Sequence, residues 1–158
     1  MTPGGATVVI GIGNVVRRDD GLGVHALRRL HASGAVDGRA VELVEGATAG
    51  LSLLPYLAAA RRAILIDAID TGAAAGTLVR LPGDDLPGGL GGGRTAHGVG
   101  LADLLGAARL TAAWPHELVV HGAQPQSTEI GTELTPPVAA CLDALVARVA
   151  AELRAWRR

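Results

Sequence analysis

The sequence predicts a single-domain α/β protein whose five-stranded, mostly parallel and twisted sheet is flanked by helices on both faces. Short apolar runs alternate along the chain with segments whose apolar residues recur at helical spacing. The runs TVVIGI and AILI are apolar almost throughout, which is typical of strands that are covered on both faces. The chain of 158 residues has the size of one domain, so residues 1–158 are assigned to it.

The five strands are predicted at Thr7–Ile12, Val41–Val44, Ala63–Ile66, Thr77–Leu81 and Leu118–His121. AILI is expected to be central, whereas the alternating TLVRL indicates an edge strand. Helices are predicted around Val24–Leu30, Leu51–Leu57, Val99–Leu110 and from Pro136 to Leu153. Thr48 and Thr135 are the predicted N-caps of the second and fourth helices.

Composition excludes several classes of protein. The net charge is −1 and no basic stripe is present, so we expect no nucleic-acid partner. No apolar run approaches the roughly 18 residues of a membrane span, so we expect no membrane association. The first residues lack a signal-peptide pattern, and Cys141 is the single cysteine, so we expect a cytoplasmic protein without disulfides. Nothing in the pattern requires an apolar dimer face, and we expect a monomer.

Polar residues occur at places where strand ends and loops are expected to meet. Asp19 and Asp20 follow the first strand, Asp67 ends the third strand, and His97 lies just before the third helix. Ligands of such sheets bind outside the carboxyl ends of the strands. We therefore expect two carboxylates and an imidazole to converge at this edge.

Carboxylate oxygen with imidazole nitrogen suits a divalent ion such as nickel, zinc or manganese, and three protein ligands leave positions open for water or substrate. Asp20 has an alternative interpretation as an acidic residue at a helix N-terminus. His97 has one as a structural loop histidine. Asp67 is harder to explain structurally, because a carboxylate that ends a buried strand costs several kcal/mol unless it is paired or metal-bound.

Three further features leave alternative interpretations open. The glycines of GIGN suggest a dinucleotide site, but Val16 occupies the position of the third fingerprint glycine, and the acidic pair would face the pyrophosphate. The glycine-rich segment Gly83–Gly93 is either a substrate clamp or a surface insertion. His121, at the end of the fifth strand, is either a core histidine with a satisfied hydrogen bond or a further residue of the site.

Five blocks then occur in order: GIGN with DDGLG, EGATAG, IDAID, the segment His97–Leu105, and GAQP with LTPPV. Together they resemble the hydrogenase maturation endopeptidases (peptidase family M52), and the likeness covers about residues 7–153. The resemblance implies an endopeptidase that removes the C-terminal extension of a nickel-iron hydrogenase large-subunit precursor after nickel insertion. An alternative is a nickel-binding accessory protein that does not cleave.

The resemblance also implies the site residues. The metal-binding and catalytic residues of the family map onto Asp20, Asp67 and His97, and Asp19 becomes a supporting or capping group. Gly46, Thr48 and Gly50 would line the substrate cleft. The implied partner is the nickel-loaded precursor, and the nickel would be supplied by this substrate, with zinc or cadmium able to substitute in vitro.

Overall fold

The computed structural model describes residues 6–85 and 100–158. In chain order, the strands are β1 Ala6–Ile12, β2 Val41–Ala47, β3 Ala60–Ala68, β4 Leu78–Pro82 and β5 Glu117–Ala123. The helices are α1 Leu22–Ala32, α2 Leu54–Ala59, α3 Leu101–Leu110 and α4 Pro136–Ala155. Short 3-10 turns precede α1 and α2, at Arg18–Gly21 and Gly50–Leu53, and follow β4 at Gly83–Asp85.

The five strands form one sheet in the order β2-β1-β3-β5-β4. Strand β3 is central, and the pairs β1–β2, β1–β3 and β3–β5 are parallel. Strand β4 pairs with β5 antiparallel at the edge, so the predicted edge strand is confirmed. The predicted fold class is therefore confirmed as well.

Side chains that alternate along the strands supply two apolar layers, one on each face of the sheet. Val9, Ile64 and Ile66 pack with α1 and α4 on one face. Val8 and Leu65 pack with α2 and α3 on the other. Because both faces are covered, β1 and β3 are apolar almost continuously, as the sequence predicted.

The two predicted N-caps have different outcomes. Thr48 is not an N-cap. Ala49 is the N-cap residue of the Gly50–Leu53 turn and Leu53 is that of α2, and neither forms a side-chain capping hydrogen bond. Thr135 does precede Pro136 at the start of α4, but its hydroxyl donates a hydrogen bond to Asp19 instead of capping the helix. A tertiary contact has replaced the local cap.

Gly23, in the first turn of α1, allows this helix to lie directly on the sheet. A Cβ at Gly23 would lie 2.1 Å from the carbonyl oxygen of Ile66 and 2.3 Å from that of Ile12. Both contacts are with backbone atoms of central strands, which cannot rotate away. The close approach fixes where α1 begins relative to the carboxyl edge of β1 and β3.

Gly23→Ala is therefore expected to lower the free energy of unfolding by about 3 kcal/mol or more, through overpacking against backbone. Gly106→Ala is the matched control, because Gly106 lies within α3 and a Cβ there meets nothing within 4 Å. The control is expected to raise stability by about 0.5–1 kcal/mol. Urea unfolding of both variants checks this, and equal stabilities of the two would contradict it.

Candidate active site

The order of the strands places a topological switch point between β1 and β3. The connection from β1 leads through α1 to β2 on one side, whereas β3 lies on the other side of β1. In open α/β sheets, a crevice forms at such a point outside the carboxyl ends of the strands. Asp20 follows β1 and Asp67 belongs to the end of β3, so both predicted carboxylates lie at this crevice.

Gly13 shows how closely the chain segments converge there. It has a φ of +125°, and a Cβ at this position would lie 1.8 Å from the carbonyl oxygen of Asp20 and 3.6 Å from Oδ1 of Asp67. The turn after β1 therefore needs glycine both for its backbone conformation and for space. Without this turn, the loop that carries Asp20 would not return to the end of β3.

Both carboxylates are buried, with exposed fractions of 3% for Asp20 and 5% for Asp67. The backbone amide of Asn14 donates a hydrogen bond to Oδ2 of Asp20 at 2.6 Å. The amide of Ala68 donates to Oδ1 of Asp67 at 2.8 Å. Asp67 forms no ion pair within the described residues, although its charge is taken out of water.

This environment changes the proton affinity of Asp67. Burial, and then the negative charge of Asp20, raise the pKa of Asp67 well above its usual range, and the bond from Ala68 opposes them only in part. Two carboxylates that raise each other's energy in this way are stabilised by a proton or by a cation between them. Carboxylate oxygens of this kind are ligands that divalent cations accept.

The third predicted ligand, His97, lies outside the described residues, as does most of the Gly83–Gly93 segment. Within residues 6–85 and 100–158, no group of three His, Cys, Asp or Glu side chains is placed to hold a metal ion. The two aspartates are therefore the described part of the predicted triad. The assignment of His97 remains a prediction.

Asp19 has a different role from its neighbour Asp20. Its Oδ2 accepts hydrogen bonds from the amides of Gln126 and Ser127 and from the hydroxyl of Thr135, and its Oδ1 accepts one from the amide of Thr135, all at 2.7–3.0 Å. Burial raises the pKa of Asp19, but these bonds outweigh burial, and the pKa is lowered overall. Asp19 thus fastens the loop between β5 and α4 to the loop after β1.

That fastened loop forms one wall of a cavity of about 360 Å³ beside Asp20. The cavity is also lined by Asp70, Gln124 and residues 125–128. The side-chain amide of Gln124 donates to Oδ1 of Asp70 at 3.1 Å, and its oxygen accepts from the amide of Thr71 at 2.7 Å. Gln124 therefore joins the ends of β3 and β5 in front of the candidate site.

Gln124 and Asp70 belong to the GAQP and IDAID motifs, but the sequence alone assigned no role to either residue. The signal that identifies them is the one that identified Asp67, a polar residue placed directly after a buried strand. Gly46, Thr48 and Gly50 do not line this cavity: Gly46 is packed between Ile10 and Leu53, and Thr48 is exposed. Their assignment to substrate binding remains a prediction.

His121 packs inside the fold, away from the cavity lining. It is 1% exposed, and its Nε2 lies 3.1 Å from Oε2 of Glu152 on α4. Burial lowers the pKa of His121, although Glu152 acts in the opposite direction. Glu152 in turn accepts two hydrogen bonds from Arg80 of β4, at 2.8 Å each. The structure thus supports the interpretation of His121 as a core histidine that joins β5 to α4, but only Nε2 has a hydrogen-bond partner, since the buried Nδ1 has none among the described residues.

The fold and the site together define an α/β protein with a buried pair of carboxylates at the switch point of its sheet. Residues 24–152 match the family model described as hydrogenase maturation protease. The chain belongs to this family. Within the residues described, no helix is long and apolar enough to cross a membrane.

Relatives of the chain have names that agree with the family. It is 38% identical over 151 residues to the hydrogenase expression/formation protein HupD of Rhodobacter capsulatus, covering 94% of this chain and 71% of that protein. It is 34% identical over 148 residues to the hydrogenase 2 maturation protease of Escherichia coli, covering 93% and 90%. The structure of the E. coli hydrogenase maturating endopeptidase HybD superimposes with a TM-score of 0.82 at 33% identity, covering 94% and 92%.

Proposed function

We propose that this protein is an endopeptidase that removes the C-terminal extension of a nickel-iron hydrogenase large-subunit precursor after nickel insertion. Membership of the hydrogenase maturation protease family supports the protease class. The observation that carries the proposal is Asp67, a buried carboxylate beside Asp20 that lacks an ion pair within the described residues. A substrate that carries a cation would stabilise this pair of negative charges, and it would gain binding energy by doing so.

Nickel held by the precursor is that cation in our proposal, and it belongs to the substrate. Asp20 and Asp67 supply two oxygen ligands to it, and His97 supplies an imidazole nitrogen. A precursor without nickel brings no positive charge to Asp67 and binds weakly, so the site checks that the metal has been inserted. Zinc and cadmium accept the same donor set and serve as probes in vitro.

The residues around the two aspartates hold the reacting groups in position. The backbone amide of Asn14 orients one oxygen of Asp20, and the backbone amide of Ala68 orients one oxygen of Asp67. A bound divalent ion polarises a carbonyl or activates a water for attack on it. The cavity of about 360 Å³ beside Asp20, walled by residues 125–128, is the place we propose for the peptide segment of the precursor next to the cleavage site.

The direct test is to mix the purified protein with nickel-loaded large-subunit precursor and to follow the intact mass of the precursor. We expect the loss of one C-terminal fragment, and we expect nickel-free precursor to keep its mass. If several matched nickel-loaded precursors all stay intact, the endopeptidase proposal fails. Metal-dependent binding without any loss of mass would support the accessory-protein alternative instead.

A further inference from the structure

The exposed apolar side chains of this protein are unevenly distributed. Within the described residues, the large apolar side chains that remain exposed are Val16, Leu51, Tyr56, Leu110 and Ile130. Three of them, Val16, Leu51 and Ile130, lie in segments that follow the carboxyl ends of strands β1, β2 and β5. Single exposed apolar residues are ordinary, but their concentration at the edge that carries the site indicates a contact surface.

The backbone brings two of these residues onto one paired segment. The amide of Gly131 donates to the carbonyl of Val16 at 3.0 Å, and the amide of Arg18 donates to the carbonyl of Gly131 at 2.9 Å. We call residues 16–18 together with 130–131 the paired-loop ridge. Because these two loop segments are joined by backbone hydrogen bonds, Val16 and Ile130 are held in place on the surface.

The ridge is continuous with the wall of the cavity. Between Asp19 and the ridge, the amide of Asp19 donates to the carbonyl of Ser127 at 3.1 Å, and Nε of Arg17 donates to the carbonyl of Thr128 at 3.1 Å. Ser127 and Thr128 line the cavity beside Asp20. A partner that places a peptide in the cavity therefore has the ridge beside it, on the side of residues 127–128.

The exposure of the side chains decides what kind of partner fits. Ile130 is 85% exposed and Val16 is 50% exposed, so both project from the surface and form no pocket for a small molecule. Projecting apolar side chains are complementary to an apolar depression on another macromolecule. A second copy of this chain is the competing occupant, but it would cover the rim of the cavity that the substrate has to reach.

We propose that the paired-loop ridge docks the folded body of the precursor, through an apolar patch next to its scissile segment. This inference rests on the proposed function and adds to it the surface that recognises the protein rather than the metal. The nickel contact would select loaded precursors, and the ridge would select the correct hydrogenase. Burial of Ile130 in such a contact corresponds to about a 10- to 100-fold gain in affinity.

The test compares Ile130→Asp and Val16→Asp with Leu110→Asp. Leu110 is the matched control. It is 89% exposed, but it ends α3, and the chain runs from there to the start of β5, away from the carboxyl ends of the strands. We expect the two ridge variants to raise KM for the nickel-loaded precursor at least about 10-fold with little change in kcat. Leu110→Asp is expected to have the kinetics of the wild type, and thermal unfolding should show all three variants folded.

Affinity for the precursor, measured directly by calorimetry, tests the ridge even if no cleavage occurs. If the wild type binds the precursor but does not cut it, the proposed function fails, and weaker binding by the ridge variants still supports the docking surface. If Ile130→Asp and Val16→Asp bind and process as Leu110→Asp does, the inference is overturned. It is also overturned if the ridge variants change only the molar mass of the protein in solution, because the occupant is then a second copy.

Discussion

Asp67→Asn is expected to reduce processing of the nickel-loaded precursor roughly 1,000-fold, while the protein remains folded. A carboxylate that binds the cation contributes several kcal/mol to the reaction, and each 1.36 kcal/mol corresponds to a factor of ten in rate. Asparagine has the same shape and keeps an oxygen for the amide of Ala68, so the loss follows from the charge. Mass spectrometry of the precursor gives the rate, and calorimetry with cadmium gives the affinity for the metal.

The stability of the Asp67→Asn variant separates a functional charge from a structural one. Burial, and then the charge of Asp20, raise the pKa of Asp67, so the native protein holds this proton more tightly than the unfolded chain does. The free energy of unfolding of the wild type should therefore fall as pH rises from the unfolded pKa through the raised native pKa. The variant lacks this loss, and at neutral pH it is expected to be at least as stable as the wild type.

His97→Ala provides the second arm of this experiment, with His116→Ala as its control because His116 is exposed. We expect His97→Ala to abolish processing and His116→Ala to leave it unchanged. Near-normal processing by Asp67→Asn or by His97→Ala would remove that residue from the triad. A large loss of stability in Asp67→Asn would instead assign Asp67 a structural role.

Asp19→Asn is expected to lower the free energy of unfolding by about 3 kcal/mol or more at neutral pH. Asp19 accepts four hydrogen bonds, three of them on Oδ2, and the amide group of asparagine has to face at least one of these donors. At least one of the four donors is then left without an acceptor. Because Asp19 also fixes the cavity wall at residues 126–128, kcat of the folded variant should fall roughly 10-fold or more.

The pH dependence of the free energy of unfolding tests whether the hydrogen bonds of the Asp19 carboxylate cause this loss of stability. Hydrogen bonding lowers the pKa of Asp19 below its ordinary value, so its contribution is complete above the unfolded pKa and is lost as pH falls through the native pKa. Wild type and Asp19→Asn should thus differ most near neutrality and converge in acid. Asp143→Asn is the control, since Asp143 forms an exposed pair with Arg29 and should change stability by less than about 0.5 kcal/mol. Urea unfolding curves that keep the same separation at all pH values would contradict this explanation.

Much of the fold was predictable because a strand that is buried on both faces of the sheet has an almost continuously apolar sequence. TVVIGI and AILI are apolar at nearly every position, and they form β1 and the central β3. TLVRL alternates, and it lies in the edge strand β4, which has partners on one side only. The second helix was less predictable, because the predicted segment Leu51–Leu57 divides between a 3-10 turn and the short α2. Leu53 of the turn and Leu57 of α2 are buried in the same core, whereas Leu51 is exposed.

The candidate site was predictable only in part. A carboxylate at the end of a buried strand needs compensation wherever the strand lies, so Asp67 could be singled out from its sequence position alone. Asp19 and Asp20 are adjacent and chemically identical, and the resemblance to the family was needed to prefer one. The structure gives the physical reason: the four donors around Asp19 come from residues more than 100 positions away, whereas Asp20 is turned to the cavity.

The sequence by itself determined the α/β class, the central and edge strands, and the position of Asp20 and Asp67 at the carboxyl edge. These depend on patterns of burial along one strand or helix, which neighbouring residues record. Tertiary structure alone decided that Asp19 fastens one loop to another, that Thr135 bonds to Asp19 instead of capping α4, and that Val16 and Ile130 share one ridge. Those contacts join segments that are distant in the chain, so no local pattern encodes them, and only the packing of β1, β3 and β5 brings the partners within reach.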